Sequence, residues 1–298
     1  MRASSLTSLV AGAVVGTATG ALRSGRVHRG RPVLWAAGAL GAAVVANELA
    51  GKPALFLRWS FLRMLLGHRR LQTTWQVGDG REDALVAYVT RHARAGDVDD
   101  VIRAIDRFCL ERSFLINVGE DKGEILDRVV RRIRPAVLLE LGTYCGYSAL
   151  RMVRAMPPDA RLHSIEFSPA NARIARRILE HAGVGDRVTI VVGTLGDGGP
   201  TMERLRTEHG FAAGALDFVF VDHDKDAYLP DLRRILDRQW LHPGSVVVAD
   251  NVRIPGAPAY RQFMRMHEGR HWRTTEHEAH TEYQSLVKDL VLESEYLG

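Results

Sequence analysis

Two apolar runs in this chain end in residues that could do chemistry together. The run "LDFVFV", residues 216–221, leads into Asp222, His223, Asp224, Lys225 and Asp226. A second run, "SVVVA", residues 245–249, leads into Asp250 and Asn251. Short apolar runs of this kind read as buried parallel strands, and open α/β sheets bind ligands at the carboxyl ends of such strands. Taken alone, the charged stretch after residue 221 is equally readable as a solvated turn or as a site. Two carboxylates and an amide oxygen are hard donors suited to Mg2+, with water or substrate oxygens completing an octahedron. Lys225 follows Asp222 by three residues. Beside a cation, and partly desolvated, a lysine gives up its proton more easily and can act as a general base.

Two other strand ends carry unusual residues. In "ELGTYCGYS", residues 140–148, Gly142 and Gly146 lie between a strand and a helix. Glycines there let the backbone approach a ligand, and the helix start suits an anionic group. In "SIEF", Glu166 follows Gly142 by 24 residues, a spacing at which an acidic side chain can hold ribose hydroxyls. A tight turn wants glycine anyway, and Glu166 alone could be a surface carboxylate. Together they favour a nucleoside-containing cofactor. The glycine spacing is neither the dinucleotide nor the phosphate-loop pattern, so S-adenosylmethionine fits better than NAD or ATP.

A sheet must hold these ends together. Strand-like runs at 136–141, 161–167, 187–192, 216–222 and 245–250 alternate with helix-like stretches. This pattern predicts a doubly wound, mostly parallel α/β sheet. "HWRTTEHEAH" and "VKDLVLESEY" have no long helix between them, which predicts an antiparallel finishing pair. Residues 80–134 read as helices, with apolar positions three and four apart. "HEAH", His277 to His280, lacks the spacing of a helical zinc motif and reads as surface.

The net charge of +5 is unevenly spread. Residues 1–75 hold ten basic residues against Glu48 alone, and the remainder holds thirty basic and thirty-four acidic residues. The slightly acidic body argues against a nucleic-acid partner. Cys109 and Cys145 are too few for a disulfide framework and read as reduced thiols.

Within the basic N-terminal region, residues 3–22 and 32–51 approach the length that spans a bilayer, but both are weakly apolar. "ALFLRWSFLRMLLGHRR" mixes aromatics with arginines, as an interfacial segment does. A cleaved signal, a soluble helical hairpin and membrane attachment all compete. The expectation adopted is a membrane-associating region over 1–75 and a catalytic domain over 76–298, facing the cytoplasm.

Five segments carry a family resemblance: "LLELGTYCGYSALRM", "DKGEI", "HAGVGDRVTIVVG", "VDHDKDAYLPDL" and "VVVADNVRIPGAP". In order, from about residue 80 to the end, the chain resembles catechol O-methyltransferases. The resemblance implies a seven-stranded methyltransferase sheet. It also implies Mg2+-dependent methyl transfer from S-adenosylmethionine to one hydroxyl of a catechol, and an attached form would match the N-terminal region.

The resemblance further implies Asp222, Asp250 and Asn251 as metal ligands, Lys225 as the base, and Glu282 as the carboxylate on the second hydroxyl. Val118, Gly142, Tyr144 and Ser148 would surround the methionine part of the cofactor, Glu166 its ribose, and His223 its adenine. Pro255 would form one wall of the acceptor slot. Phe114 and Asp224 stand where the family has tryptophans, and Ile116 where it has a methionine. Leu195 and Gly196 replace polar residues on the adenine side. The chemical residues are kept while the walls change, so a related non-catechol phenol or diol is the alternative acceptor. A non-catalytic membrane scaffold is the more distant alternative.

Overall fold

The apolar runs of the second half become one sheet. The structure, a computed structural model, describes residues 31–50, 57–284 and 287–298. Its strands are β1 (Val137–Leu141), β2 (Arg161–Glu166), β3 (Val188–Val192), β4 (Leu216–Val221), β5 (Leu241–Ala249), β6 (Trp272–His280) and β7 (Lys288–Tyr296). They lie in the order β3-β2-β1-β4-β5-β7-β6. β1 to β5 pair in parallel, while β7 runs antiparallel to both β5 and β6. The expected doubly wound sheet with an antiparallel last strand is therefore what forms. β5 begins four residues earlier than its apolar run, and the pairing with β4 shifts register between Leu216 and Phe218.

Alternation along each strand gives the sheet two apolar faces. Leu138, Phe218, Phe220, Val246 and Val248 join one core, under helices α4 (Arg81–His92), α5 (Val98–Glu111), α6 (Gly119–Ile133), α7 (Tyr147–Ala155) and α8 (Pro169–His181). Leu139, Leu141, Val219, Val221 and Val247 join the other, under α9 (Pro200–His209), α10 (Tyr228–Asp237) and α11 (Pro258–Met266). Strand order reverses between β1 and β4. The crevice at such a switch point, outside the carboxyl ends, is the ligand position of doubly wound sheets.

Three helices precede the sheet domain: α1 (Arg31–Leu49), α2 (Trp59–Leu66) and α3 (His68–Thr74). Among the described residues no helix is long and apolar enough to cross a membrane, which includes the second of the two weakly apolar stretches. The first, residues 3–22, lies outside the described residues.

Side-chain packing runs across residue 75. Phe61 and Met64 of α2 are buried with Val77 and Phe114, and Phe61 meets Phe114 edge to face at 5.4 Å between centroids. The Arg58 guanidinium donates to the carbonyls of Cys109 and Leu110. Buried Arg81 donates to the carbonyls of Ser60 and Phe114. Composition breaks at residue 75, but side-chain burial continues back through Arg58 to Asn47 and Val44.

Burying an apolar side chain of this size contributes about 1.5–3 kcal/mol. Removing residues 1–75 should therefore lower the melting temperature by at least about 6 °C. Removing only residues 1–56, which keeps Arg58, Phe61 and Met64, should lower it less. Equal melting temperatures for the two truncations would contradict the packing argument.

Candidate active site

The cofactor side is built around the turn after β1. The Gly142 N–H donates to the Ile165 carbonyl at 3.0 Å, while the Asp222 N–H donates to the Leu141 carbonyl at 2.9 Å. The two connections draw the ends of β1, β2 and β4 together. Gly142 has φ +103°, and a Cβ there would lie 2.4 Å from the Asp222 carbonyl oxygen. Only glycine fits that approach. Gly146, at φ +85°, then starts α7.

Glu166 Oε2 accepts the Tyr144 N–H at 2.7 Å, and Oε1 accepts the Ser168 N–H at 2.8 Å. Burial, partly opposed by these bonds, raises its pKa. Tyr144 sits at φ +48° and donates its hydroxyl to Glu82 Oε1 at 3.1 Å. Beneath the turn, Glu140 receives the hydroxyls of Ser148 and Ser164. Burial pushes the Glu140 carboxyl up to about 7, against the pull of those two donors. Ser148 thus faces Glu140, and Val118 is buried at the start of α6.

His223 stacks on Tyr228 at 5.2 Å, with Nε2 2.9 Å from Asp231 Oδ2. Its Nδ1 is buried with no hydrogen-bond partner. The His223 backbone lies beside the glycine turn, its Cα 3.2 Å from where a Gly142 Cβ would stand.

The acceptor side assembles around Asp222, Lys225, Asp250, Asn251 and Glu282. Lys225 Nζ donates to Asp222 Oδ1 at 2.8 Å and to the Tyr228 hydroxyl, and lies 4.7 Å from the Tyr228 ring centroid. The Tyr228 hydroxyl in turn donates to the Asp250 carbonyl at 3.0 Å. Asp250 is 1% exposed. Burial, with Asp222 and Glu282 close by, raises its pKa against the opposing charges of Lys122 and Lys225. Asn251 adopts φ +54°, a left-handed position that asparagine tolerates. Its Nδ2 donates to Asp289 Oδ2 at 2.8 Å and to Glu282 Oε1 at 3.3 Å.

Both bonds use the nitrogen branch of the Asn251 amide. The donor set is all oxygen and net negative, and it fits a hard divalent cation. Among the described residues no group of three or more His, Cys, Asp or Glu side chains is placed to hold a metal. This set has two carboxylates and an amide.

The expected wall residues are placed differently. Phe114 is 3% exposed and packed under Phe61. Asp224 is exposed, and its Oδ1 accepts the Asp226 N–H at 3.1 Å, so it caps its own turn. Pro255 is exposed in the turn Val252–Gly256, which follows Asn251. His277 and His280 pair with Glu293 and Asp121 at 2.9 and 3.1 Å.

Sequence reasoning missed Glu140, Tyr228, Lys122 and Asp289. Glu140 had a signal, a carboxylate inside the apolar run "LLEL". The other three are ordinary polar residues of helices and a strand until the fold brings them inward.

A seven-stranded sheet of this order, with a glycine turn and an acidic residue on the next strand, defines the S-adenosylmethionine-dependent methyltransferase class. The chain belongs to the O-methyltransferase family, whose model matches residues 99–264. It is 64% identical over 235 residues to a probable O-methyltransferase of Mycobacterium tuberculosis, covering 79% of this chain and 100% of that protein. It is 40% identical over 245 residues to the catechol O-methyltransferase of Bos taurus, covering 78% of this chain and 85% of that one. Among solved structures, the O-methyltransferase TomG of Streptomyces achromogenes, in complex with S-adenosylmethionine, superposes with a TM-score of 0.53. That match has 27% identity and covers 66% of this chain and 89% of TomG.

Proposed function

We propose that this O-methyltransferase acts on catechols and depends on Mg2+. One observation carries the reading: Asp222, Lys225, Asp250, Asn251 and Glu282, from three separate segments, form one connected cluster beside the glycine turn. Folding alone has no need of so many ionisable groups together, since burying them costs free energy. The bovine relative's name supports the catechol, and the oxygen-only donor set supports the metal.

Asp222, Asp250 and Asn251 would hold Mg2+, and Gly142, Tyr144, Glu166 and His223 would line the cofactor. S-adenosylmethionine supplies the methyl group. A Mg2+ ion held there would supply Lewis acidity that makes a phenolic hydroxyl easier to ionise. Lys225 Nζ is the group placed to take the proton from the reacting hydroxyl. Tyr228 and Asp222 fix where that nitrogen points. Glu282 accepts a hydrogen bond from the second hydroxyl and so decides which oxygen faces the cofactor. Held this way, the reactants gain from positioning, a contribution of roughly 7–11 kcal/mol at best.

Chelation with EDTA should abolish turnover of a catechol, and added Mg2+ should restore it. Full turnover in EDTA would remove the metal from the account.

A further inference from the structure

Lys122, on α6, is 1% exposed and sits at the centre of the carboxylate cluster. Its Nζ lies 3.0 Å from Glu282 Oε1, 3.0 Å from Asp289 Oδ2, and 2.9 and 3.1 Å from the two oxygens of Asp250. Asp289 is 0% exposed. Its Oδ1 accepts the N–H groups of Ile254 and Arg253 at 2.9 and 3.3 Å. One ammonium and one carboxylate therefore join α6, the end of β5, the turn carrying Pro255, the β6–β7 loop and β7. All of these contacts lie on the acceptor side of the site.

A buried ammonium is retained only when close partners offset its desolvation, and here three carboxylates do so. Asp222, Asp250, Glu282 and Asp289 formally carry four negative charges, and Lys122 and Lys225 carry two positive ones. The remainder is two negative charges, which one divalent cation cancels. Without Lys122 the set would carry three, and Glu282 would lose the ammonium that fixes Oε1.

We propose that Lys122 is a positioning residue that sets the charge of the metal site and holds Glu282 for the acceptor, with Asp289 as its buried counterion; this rests on the Mg2+-dependent reading above. Lys122 then weakens metal binding while speeding the reaction. A purely structural lysine would support both.

The test is calorimetric titration of Mg2+ into the full chain saturated with S-adenosylhomocysteine, with catechol kinetics alongside. Lys122→Met should bind Mg2+ about tenfold more tightly, yet lose kcat/KM for the acceptor on the order of tenfold or more. Lys122→Arg, which keeps the charge, should hold the Mg2+ affinity of the parent. Asp289→Asn, which keeps the volume, should bind Mg2+ about tenfold more weakly. Shifts of the same sign in Lys122→Met and Asp289→Asn, or no shift in either, overturn the proposal. If Lys122→Met does not fold, Asp289→Asn decides alone, and an unchanged affinity there overturns it. A parent protein that binds no Mg2+ overturns the metal reading and this proposal together. A parent that binds Mg2+ without the opposed shifts overturns this proposal only.

Discussion

Lys225→Met should lower kcat for methyl transfer by a factor on the order of 10²–10⁴, the range expected when a general base is removed. The affinity for S-adenosylmethionine should stay within about twofold, because among the described residues Lys225 bonds to Asp222 and Tyr228, on the acceptor side. Methionine preserves most of the side-chain volume, so the contact with the Tyr228 ring survives as an apolar one. The loss should therefore fall on kcat rather than on stability. Stopped assays for kcat and calorimetry for the cofactor separate the two quantities. An unchanged kcat would mean that the metal alone ionises the phenol and that Lys225 serves only as a counterion to Asp222.

Gly142→Ala should be as damaging, but on the other half of the site. The added methyl would lie 2.4 Å from the Asp222 carbonyl oxygen and 2.9 Å from its carbonyl carbon, both backbone atoms. The φ of +103° is itself unfavourable for alanine. Relief requires β1 and β4 to part at the switch point. That displaces the turn carrying Tyr144 and the start of the segment carrying Asp222 and Lys225. Strain of about 1–3 kcal/mol per unfavourable backbone residue, added to the clash, predicts a loss of cofactor affinity on the order of 10². A calorimetric Kd within a few-fold of the parent would show that the turn yields without cost. Gly198 makes a control, because a Cβ there meets nothing within 4 Å although φ is +86°.

What the sequence made legible is what local pattern encodes. A short apolar run followed by a charged residue marks a strand end, and four such ends were readable at Gly142, Glu166, Asp222 and Asp250. The parallel sheet followed from strand–helix alternation, and its antiparallel finish from the missing helix before β7. Lys122 and Asp289 were not readable, because their meaning lies in contacts across 128 and 167 positions. In "DKGEI" a lysine looks like any solvated helix residue. The contacts that cross residue 75 were not readable for a related reason. Composition averages over a region, whereas packing is decided by single side chains, here Phe61, Met64 and Arg58. Asp224 shows the limit from the other direction. Its departure from the family's aromatic was visible, but its exposure and its bond to the Asp226 amide depend on backbone geometry.

The central claim is that the site recognises two adjacent hydroxyls, one reacting and one held by Glu282. The direct measurement is methyl transfer from S-adenosylmethionine, with Mg2+ present, to catechol and to phenol under identical conditions. The account predicts a catechol monomethyl ether as product and a kcat/KM for phenol lower by a factor on the order of 10⁴, as for sites built to bond a hydroxyl that the analogue lacks. Comparable kcat/KM for the two acceptors would contradict it.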